Sequence, residues 1–220
     1  MIFITNRCNL RCSYCFANAG AEGYIYEPSL EEIKKELQLV RNEKPVPSKA
    51  LQITGGEPTL QEDLIPFLKL IKAMRYKIKL DTNGSHPDVL QEIGNLGLVD
   101  YWAMDIKAPI KLYKVITRVD LESGIIEKSM DIIRQSGIDY EFRTTYFDLL
   151  LTSSDLASMQ ELLKPGDRFI IQQCRYENTL QEITREELLT PALSFNENPA
   201  CRSLINWGTE HSVKISLRSL

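Results

Sequence analysis

The stretch from Ala50 to Gly84 reads ALQITGGEPTLQEDLIPFLKLIKAMRYKIKLDTNG and carries the pattern that decides the fold. It begins with a short apolar run, Ala50 to Thr54, which a Gly-Gly-Glu-Pro turn interrupts. Apolar residues then recur at helical spacing from Leu60 to Met74, and a second apolar run follows from Tyr76 to Leu80. A strand, a helix and another strand in this order predict a βαβ unit with two parallel strands.

The same alternation continues on both sides of this unit. The sequence predicts six strands, at Phe3–Thr5, Ala50–Thr54, Tyr76–Leu80, Val99–Ile106, Tyr140–Tyr146 and Phe169–Ile171. Helical patterns separate them, at Leu30–Val40, Leu60–Met74, Val89–Leu96, Ile125–Ile133 and Leu156–Leu163. Ser29 and Glu32 are spaced as a capping box that opens the first helix.

Unit length favours one α/β architecture. Six units over about 175 residues give roughly 29 residues each, close to the length of a βαβ motif. Eight units would leave too few residues for a closed barrel. We therefore expect a partial (β/α)6 TIM-like barrel with parallel strands over residues 1–175, and the structural alternative is a flavodoxin-like doubly wound sheet. Residues 176–220 are expected to form a C-terminal extension packed on the barrel, with a helix near Arg185–Leu189 and a last strand near Val213–Leu217.

Composition excludes several classes of protein. The chain has 220 residues, 43% hydrophobic and 25% charged, as in a globular protein. Its net charge of -4 argues against general nucleic-acid binding, which usually needs a basic excess. No apolar run approaches the ~20 residues of a membrane span, and Met1 to Thr5 shows no secretory signal. We expect a cytoplasmic protein that does not bind membranes.

Three of the five cysteines lie within eight residues, at Cys8, Cys12 and Cys15. In a reducing compartment such a trio indicates metal or redox chemistry rather than cross-linking. Structural zinc prefers four ligands, commonly in paired knuckles, and a second knuckle is missing here. A [4Fe-4S] cluster normally has four cysteines, so three would leave one iron open. The cluster is favoured, with zinc or unligated cysteines as alternatives, and Cys174 and Cys201 are expected to be buried small side chains.

Polar residues follow the predicted strands at the positions where each strand ends. They are Glu57, Asp81 to Asn83, Asp105, Lys107, Arg143 to Thr145 and Gln172. The carboxyl ends of parallel strands form the active face of barrels and open α/β sheets. We expect these residues to meet at one rim, together with the cysteine loop.

The segment Cys8 to Cys15, CNLRCSYC, resembles the CxxxCxxC signature of the radical S-adenosylmethionine (SAM) superfamily. Gly55-Gly56-Glu57-Pro58 is similar to that superfamily's second signature. The resemblance implies a partial barrel and a [4Fe-4S] cluster on Cys8, Cys12 and Cys15, with SAM chelating the open iron. It also implies reductive cleavage of SAM to methionine and a 5′-deoxyadenosyl radical that abstracts a substrate hydrogen.

The resemblance assigns further residues to SAM. Glu57 and the backbone of Gly55 and Gly56 are expected to receive its methionine ammonium, because only glycine allows so close an approach. Pro58 completes the signature. Tyr14 matches an aromatic position beside the adenine, with simple packing as the alternative.

Three other segments resemble the glycyl-radical-enzyme activating enzymes, in particular the group that activates anaerobic ribonucleoside-triphosphate reductase. They are LDTNG at 80–84, MDIK at 104–107 and EFRTT at 141–145. The resemblance implies a monovalent cation among Asp81, Thr82 and Asp105, with Asn83 in the same cofactor site. It implies that Lys107 and Arg143 contact SAM and act in catalysis.

This narrower resemblance also implies partners. They are a glycyl radical enzyme as protein substrate and an electron donor such as flavodoxin or ferredoxin. Phe16-Ala17-Asn18 departs from the His-Asn pair that often follows the third cysteine in these enzymes. Two other hypotheses stay open: a small-molecule radical enzyme similar to 7-carboxy-7-deazaguanine synthase, and a zinc-stabilised interaction module.

Overall fold

Seven parallel strands form one sheet in the computed structural model, which describes residues 2–15, 28–43, 50–122, 124–174 and 197–218. In chain order, β1 to β7 are Ile2–Thr5, Ala50–Gly55, Lys77–Thr82, Tyr101–Asp105, Asp139–Tyr146, Arg168–Gln173 and Lys214–Arg218. The strands lie side by side in this same order, with β1 and β7 outermost. The α/β fold with an open, partial barrel of parallel strands is as predicted.

Helices fill the connections, as parallel pairing of consecutive strands requires. In the described part of the chain, α1 to α7 are Leu30–Glu43, Leu64–Ala73, Pro87–Asn95, Tyr113–Thr117, Ile125–Gln135, Ser153–Ser158 and Pro199–Glu210. The predicted capping box opens α1: Glu32 N donates to Ser29 Oγ at 3.3 Å, and Ser29 N donates to Glu32 Oε2 at 2.8 Å. None of the helices in the described residues is long and apolar enough to cross a membrane.

The sheet has an apolar face and a polar face. On β2, Leu51 and Ile53 are buried in the same cluster as Leu68 and Ile71 of α2. The intervening Gln52, like the corresponding positions of β3 and β5, points to the opposite, inner face. Because side chains alternate along a strand, each strand can support the core with one face and a polar cavity with the other.

Two predicted helices have different bounds from those expected. The helix expected from Leu60 begins at Leu64, because Pro58–Leu60 forms a 3-10 turn instead. The helix expected over Leu156–Leu163 is α6 followed by a 3-10 turn at Met159–Leu162.

Two helices were not predicted, namely α4 and α7. The start of α7 has a readable signal, since Asn198 Oδ1 accepts from Ala200 N at 2.9 Å and Pro199 occupies the first turn. The helix expected near Arg185–Leu189 and the Phe16-Ala17-Asn18 segment lie outside the described residues.

The last strand continues the main sheet. β7 pairs in parallel with β6, and Gln172 is aligned with Arg218. The strand expected near Val213–Leu217 is thus confirmed, one residue later than predicted. The division of the chain at residue 175 stays a prediction.

Candidate functional site

Most of the predicted site residues surround one cavity of about 420 Å³ on the inner face of the sheet. The predicted residues that line it are Cys8, Cys12, Tyr14, Cys15, Gly55, Gly56, Asp81, Thr82, Asn83, Asp105, Lys107 and Arg143. Cys174 lines it as well. The carboxyl ends of the strands therefore meet the cysteine loop at one rim, as the sequence predicts.

Helix α4 holds the cysteine loop in place. Arg11 N donates to Thr117 O at 2.9 Å, and Ser13 N donates to Ile116 O at 3.1 Å. These carbonyls lie at the C-terminal end of α4, where they have no partner within the helix. The loop thus satisfies the end of α4, and α4 fixes the backbone on both sides of Cys12.

The three cysteine side chains line the same cavity, and burial affects two of them. Burial raises the pKa of Cys12 to about 11, while nearby Lys107 lowers it and the charges of Cys15 and Cys8 raise it further. Burial also raises the pKa of Cys8. Ligation requires deprotonated sulfur, so binding of a metal centre would release protons here. Three thiols at one cavity wall are the donor set that an iron-sulfur cluster with an open iron requires.

Glu57 is not among the residues that line the cavity. It is fully buried, lies behind the cavity wall and accepts hydrogen bonds on both oxygens. Thr59 N and Oγ1 and Thr82 Oγ1 donate to Oε1, at 3.1, 2.6 and 2.8 Å, and Asn83 N donates to Oε2 at 2.6 Å. Its carboxylate is thus committed to joining the loops after β2 and β3. Pro58 is likewise buried in the 3-10 turn and does not line the cavity.

The packing of the backbone requires glycine at positions 55 and 56, independently of any ligand. Gly56 N donates to Thr5 O at 2.8 Å, and Glu57 N donates to Arg7 O at 2.6 Å. A Cβ atom on either glycine would overlap the backbone of Thr5 or Arg7, and Gly55 has a φ of 117°. The sequence predicts a close approach to these glycines. In the structure, the chain that leads from β1 into the cysteine loop makes this approach.

Arg143 joins the two predicted carboxylates. Its Nε and Nη2 lie 3.0 and 3.1 Å from the two oxygens of Asp105, and its Nη1 lies 3.2 Å from Asp81 Oδ2. Lys107 Nζ lies 3.3 Å from Asp105 Oδ2. Burial raises the pKa of Asp105, but Arg143 and Lys107 outweigh it, and the net pKa is lowered. Asp105, Lys107 and Arg143 therefore stay charged in the cavity wall.

The predicted monovalent cation does not fit this arrangement. Both Asp105 oxygens accept from Arg143, and the Thr82 hydroxyl donates to Glu57. The guanidinium of Arg143 already supplies the positive charge between the two carboxylates. Asp81 Oδ1 differs from these groups, since it is buried and has no hydrogen bond within the described part of the chain.

Sequence reasoning missed a second charged group on the inner face. Glu141 is buried, and Lys79 Nζ lies 3.3 Å from its Oε1 while Arg218 Nη2 lies 3.2 Å from its Oε2. Tyr101 Oη donates to the same carboxylate at 3.3 Å. Lys79 and Arg218 line the cavity, as does Gln172, which accepts from Arg218 Nη1 at 3.1 Å.

The fold and the site together define a class of protein. An open barrel of parallel strands carries three thiols, buried charges and a small-molecule cavity at the carboxyl ends of its strands. Residues 2–164 match the Radical SAM superfamily, and the chain belongs to that superfamily. The resemblance seen in the cysteine and Gly-Gly-Glu-Pro segments is confirmed. The family implies a [4Fe-4S] cluster and SAM as cofactors.

Two relatives have informative names. A protein of Methanocaldococcus jannaschii, provisionally named a glycyl-radical enzyme activating enzyme, is 31% identical over 180 residues, which are 80% of this chain and 72% of that protein. The 7-carboxy-7-deazaguanine synthase of Koribacter versatilis is 31% identical over 139 residues, which are 61% of this chain and 56% of that protein.

A solved structure supports the fold. Streptococcus suis SuiB bound to S-adenosylmethionine superposes with a TM-score of 0.67 and 14% identity, over 99% of this chain and 49% of that chain. The chain therefore spans about half the length of SuiB. Similarity at this level of identity concerns the architecture of the barrel.

Proposed function

We propose that this radical SAM protein activates a glycyl radical enzyme by generating a radical on a backbone glycine of that partner. The main support is the relative of this name, of which the chain covers 72% at 31% identity. The narrower sequence resemblance at Asp81, Asp105, Lys107 and Arg143 points the same way. A cytoplasmic location and an electron donor such as flavodoxin or ferredoxin belong to the same proposal.

An apolar edge beside the cavity suits a protein substrate. Ile2 and Ile4 of β1 are aligned with Gln52 and Thr54, which line the cavity. Ile2 and Ile4 are 60% and 77% exposed on the outermost strand. An extended peptide segment of a partner could lie against this edge and bring a glycine into the cavity.

Different residues of the cavity would bind the cluster and SAM. Cys8, Cys12 and Cys15 would hold a [4Fe-4S] cluster, which when bound with SAM supplies the electron for reductive SAM cleavage. Asp81 Oδ1, buried without a hydrogen bond, would accept the SAM ammonium in place of Glu57. Lys107 and Arg143 remain charged and would bind the SAM carboxylate.

The test uses anaerobically reconstituted protein with SAM, a reductant and the glycyl radical enzymes of the same organism. We expect 5′-deoxyadenosine and a glycyl electron paramagnetic resonance (EPR) signal in one partner. Cys12→Ala should abolish both. Cys201→Ala, which removes a buried thiol outside the trio, should leave them unchanged. SAM cleavage without a glycyl signal in any partner would rule out the activating role.

A small-molecule reaction is the second candidate. The Koribacter versatilis relative supports it, and so do Lys79 and Arg218, two cations of the cavity wall suited to an anionic substrate. Tight binding of a purine-like compound, measured by calorimetry on the reconstituted protein, would favour this function.

A further inference from the structure

Asn83, at the end of β3, has a side-chain amide whose orientation the structure fixes. The residue is 4% exposed, and Ser85 N donates to its Oδ1 at 2.9 Å. The amide NH2 group must therefore point the other way, because a flipped amide would place its donors against the Ser85 N–H. Its backbone is fixed as well, through the hydrogen bond from Asn83 N to Glu57.

Both donors of this NH2 group point toward the cysteine loop. Asn83 Nδ2 donates to Asn9 Oδ1 at 3.0 Å, and it lies 3.9 Å from Cys8 Sγ, within the range of a hydrogen bond to sulfur. An amide NH2 has two donors, so the group has none left for a ligand in the cavity. The sequence places Asn83 among the cofactor-binding residues, and the contacts direct it to a cysteine instead.

Asn9 is held in turn by a second contact. Its Nδ2 donates to Ser85 Oγ at 2.9 Å, and Ser85 Oγ lies 3.0 Å from His86 Nδ1. Asn83, Asn9 and Ser85 thus form a closed ring of hydrogen bonds beside Cys8. Such a ring keeps the Asn83 amide in one position while the cysteine side chain changes its ligation.

The contact gains importance once Cys8 is a thiolate ligand. A thiolate is a stronger acceptor than a thiol, and groups that hydrogen-bond to metal ligands tune the metal. Donors to the sulfurs of an iron-sulfur cluster are one of the factors that set its reduction potential. Leu10 N also donates to Cys8 Sγ, at 3.4 Å, so Cys8 receives one backbone and one side-chain donor.

We propose that Asn83 is a positioning residue for the cluster, and that its amide N–H bond to Cys8 raises the reduction potential. This inference rests on the proposed function only in that Cys8 ligates a cluster. It requires neither the glycyl radical partner nor bound SAM. A donor stabilises the additional negative charge of the reduced cluster, so removal of the donor should make reduction harder.

The experiment is a potentiometric titration of the reconstituted protein without SAM, followed by EPR of the reduced cluster. We expect Asn83→Ala to shift the midpoint to lower potential at equal iron content. Asn83→Asp should shift it further, since the carboxylate keeps the acceptor for Ser85 but adds negative charge. Asn95→Ala, which removes an exposed amide on α3, should leave the midpoint unchanged.

Asn9→Ala covers the case in which the Asn83 variants fail to fold. It leaves the Asn83 side chain intact but frees its amide, so we expect a smaller shift in the same direction. A wild-type midpoint in Asn83→Ala, or in Asn9→Ala if only that variant folds, overturns the proposal. Failure of wild-type protein to take up a cluster overturns it too. A missing glycyl signal in a partner leaves it intact.

Discussion

Glu57 shows how a signature residue can serve the structure beneath a site. Its two oxygens accept four hydrogen bonds, from Thr59 after β2, from Thr82 at the end of β3 and from Asn83 directly after it. Burial raises the pKa of this carboxyl group, and the four donors offset that effect in part. Its main effect on the cofactors is therefore indirect, through the position of Thr82 and Asn83.

Glu57→Gln should destabilise the protein even without cofactors. The new NH2 group must face at least one of the present donors, which leaves buried polar groups unpaired. We expect a loss of about 2–3 kcal/mol in the free energy of unfolding, measured by urea titration of the cofactor-free protein. Glu62→Gln, at an exposed position, is the matched control and should change it little. Equal stability of both variants would contradict the anchoring role.

The sequence revealed some site residues better than others. Cys8, Cys12 and Cys15 are recognisable from local spacing, and all three reach the cavity. Lys79 and Glu141 were missed, although each lies two residues before a predicted site residue on the same strand and shares its inward face. Their pairing depends on contacts between strands, which local spacing does not contain.

At the scale of elements, an ion pair away from the cavity connects α5 with Asp167, the residue before β6. Arg134 donates to both oxygens of Asp167, at 3.0 and 2.7 Å, and Tyr140 Oη donates to Asp167 Oδ1 at 2.8 Å. Asp167 is 1% exposed. The pair fixes the start of β6, and thereby the register of the strand that carries Gln172 into the cavity.

Asp167→Ala should be strongly destabilising, because it leaves the guanidinium of Arg134 without its buried partner. We expect a loss of about 3–5 kcal/mol in the free energy of unfolding. The control is Asp88→Ala, which breaks an exposed pair with Lys128 and should cost at most about 1 kcal/mol. Chemical denaturation of both variants under the same conditions checks the difference. Similar losses of unfolding free energy in the two variants would show that the buried pair stabilises the protein no more than the exposed pair does.

The sequence predicts the order of the strands and helices more accurately than the residues at which they begin and end. Alternating apolar runs gave all seven strands, because buried parallel strands have a strong hydrophobic signal. The start of α2 was placed four residues too early, since Pro58 and Leu60 continue an apolar pattern that the Glu57 cap converts into a 3-10 turn. Helix α4 was missed because five residues are too few for a periodic pattern.

At the scale of the whole molecule, the buried thiols make the free energy of unfolding depend on pH in the alkaline range. Burial raises the pKa of Cys201 to about 11 and that of Cys174 to about 12, above the ordinary thiol value near 9. The unfolded chain therefore loses these protons at lower pH than the folded protein. The stabilising contribution of these thiols is complete below about pH 9 and is lost as the pH rises toward 11 for Cys201 and toward 12 for Cys174.

We expect the free energy of unfolding of the cofactor-free protein to fall between pH 9 and about 12. Cys201→Ala should give a shallower fall, because one of the raised thiol pKa values is removed. Guanidinium unfolding at a series of pH values measures both slopes. An identical slope in the variant would mean that Cys201 is not among the groups responsible.

The close contact of the Thr5 and Arg7 backbone with Gly55 and Gly56 has a consequence for how the family is recognised across evolution. Since the backbone of Thr5 and Arg7 occupies the space of any Cβ there, selection for folding alone would retain both glycines. A lineage that abandoned radical chemistry but kept the barrel would therefore keep half of its second signature. The fold does not require the cysteines in the same way, so they would be the first residues of the two signatures to be substituted.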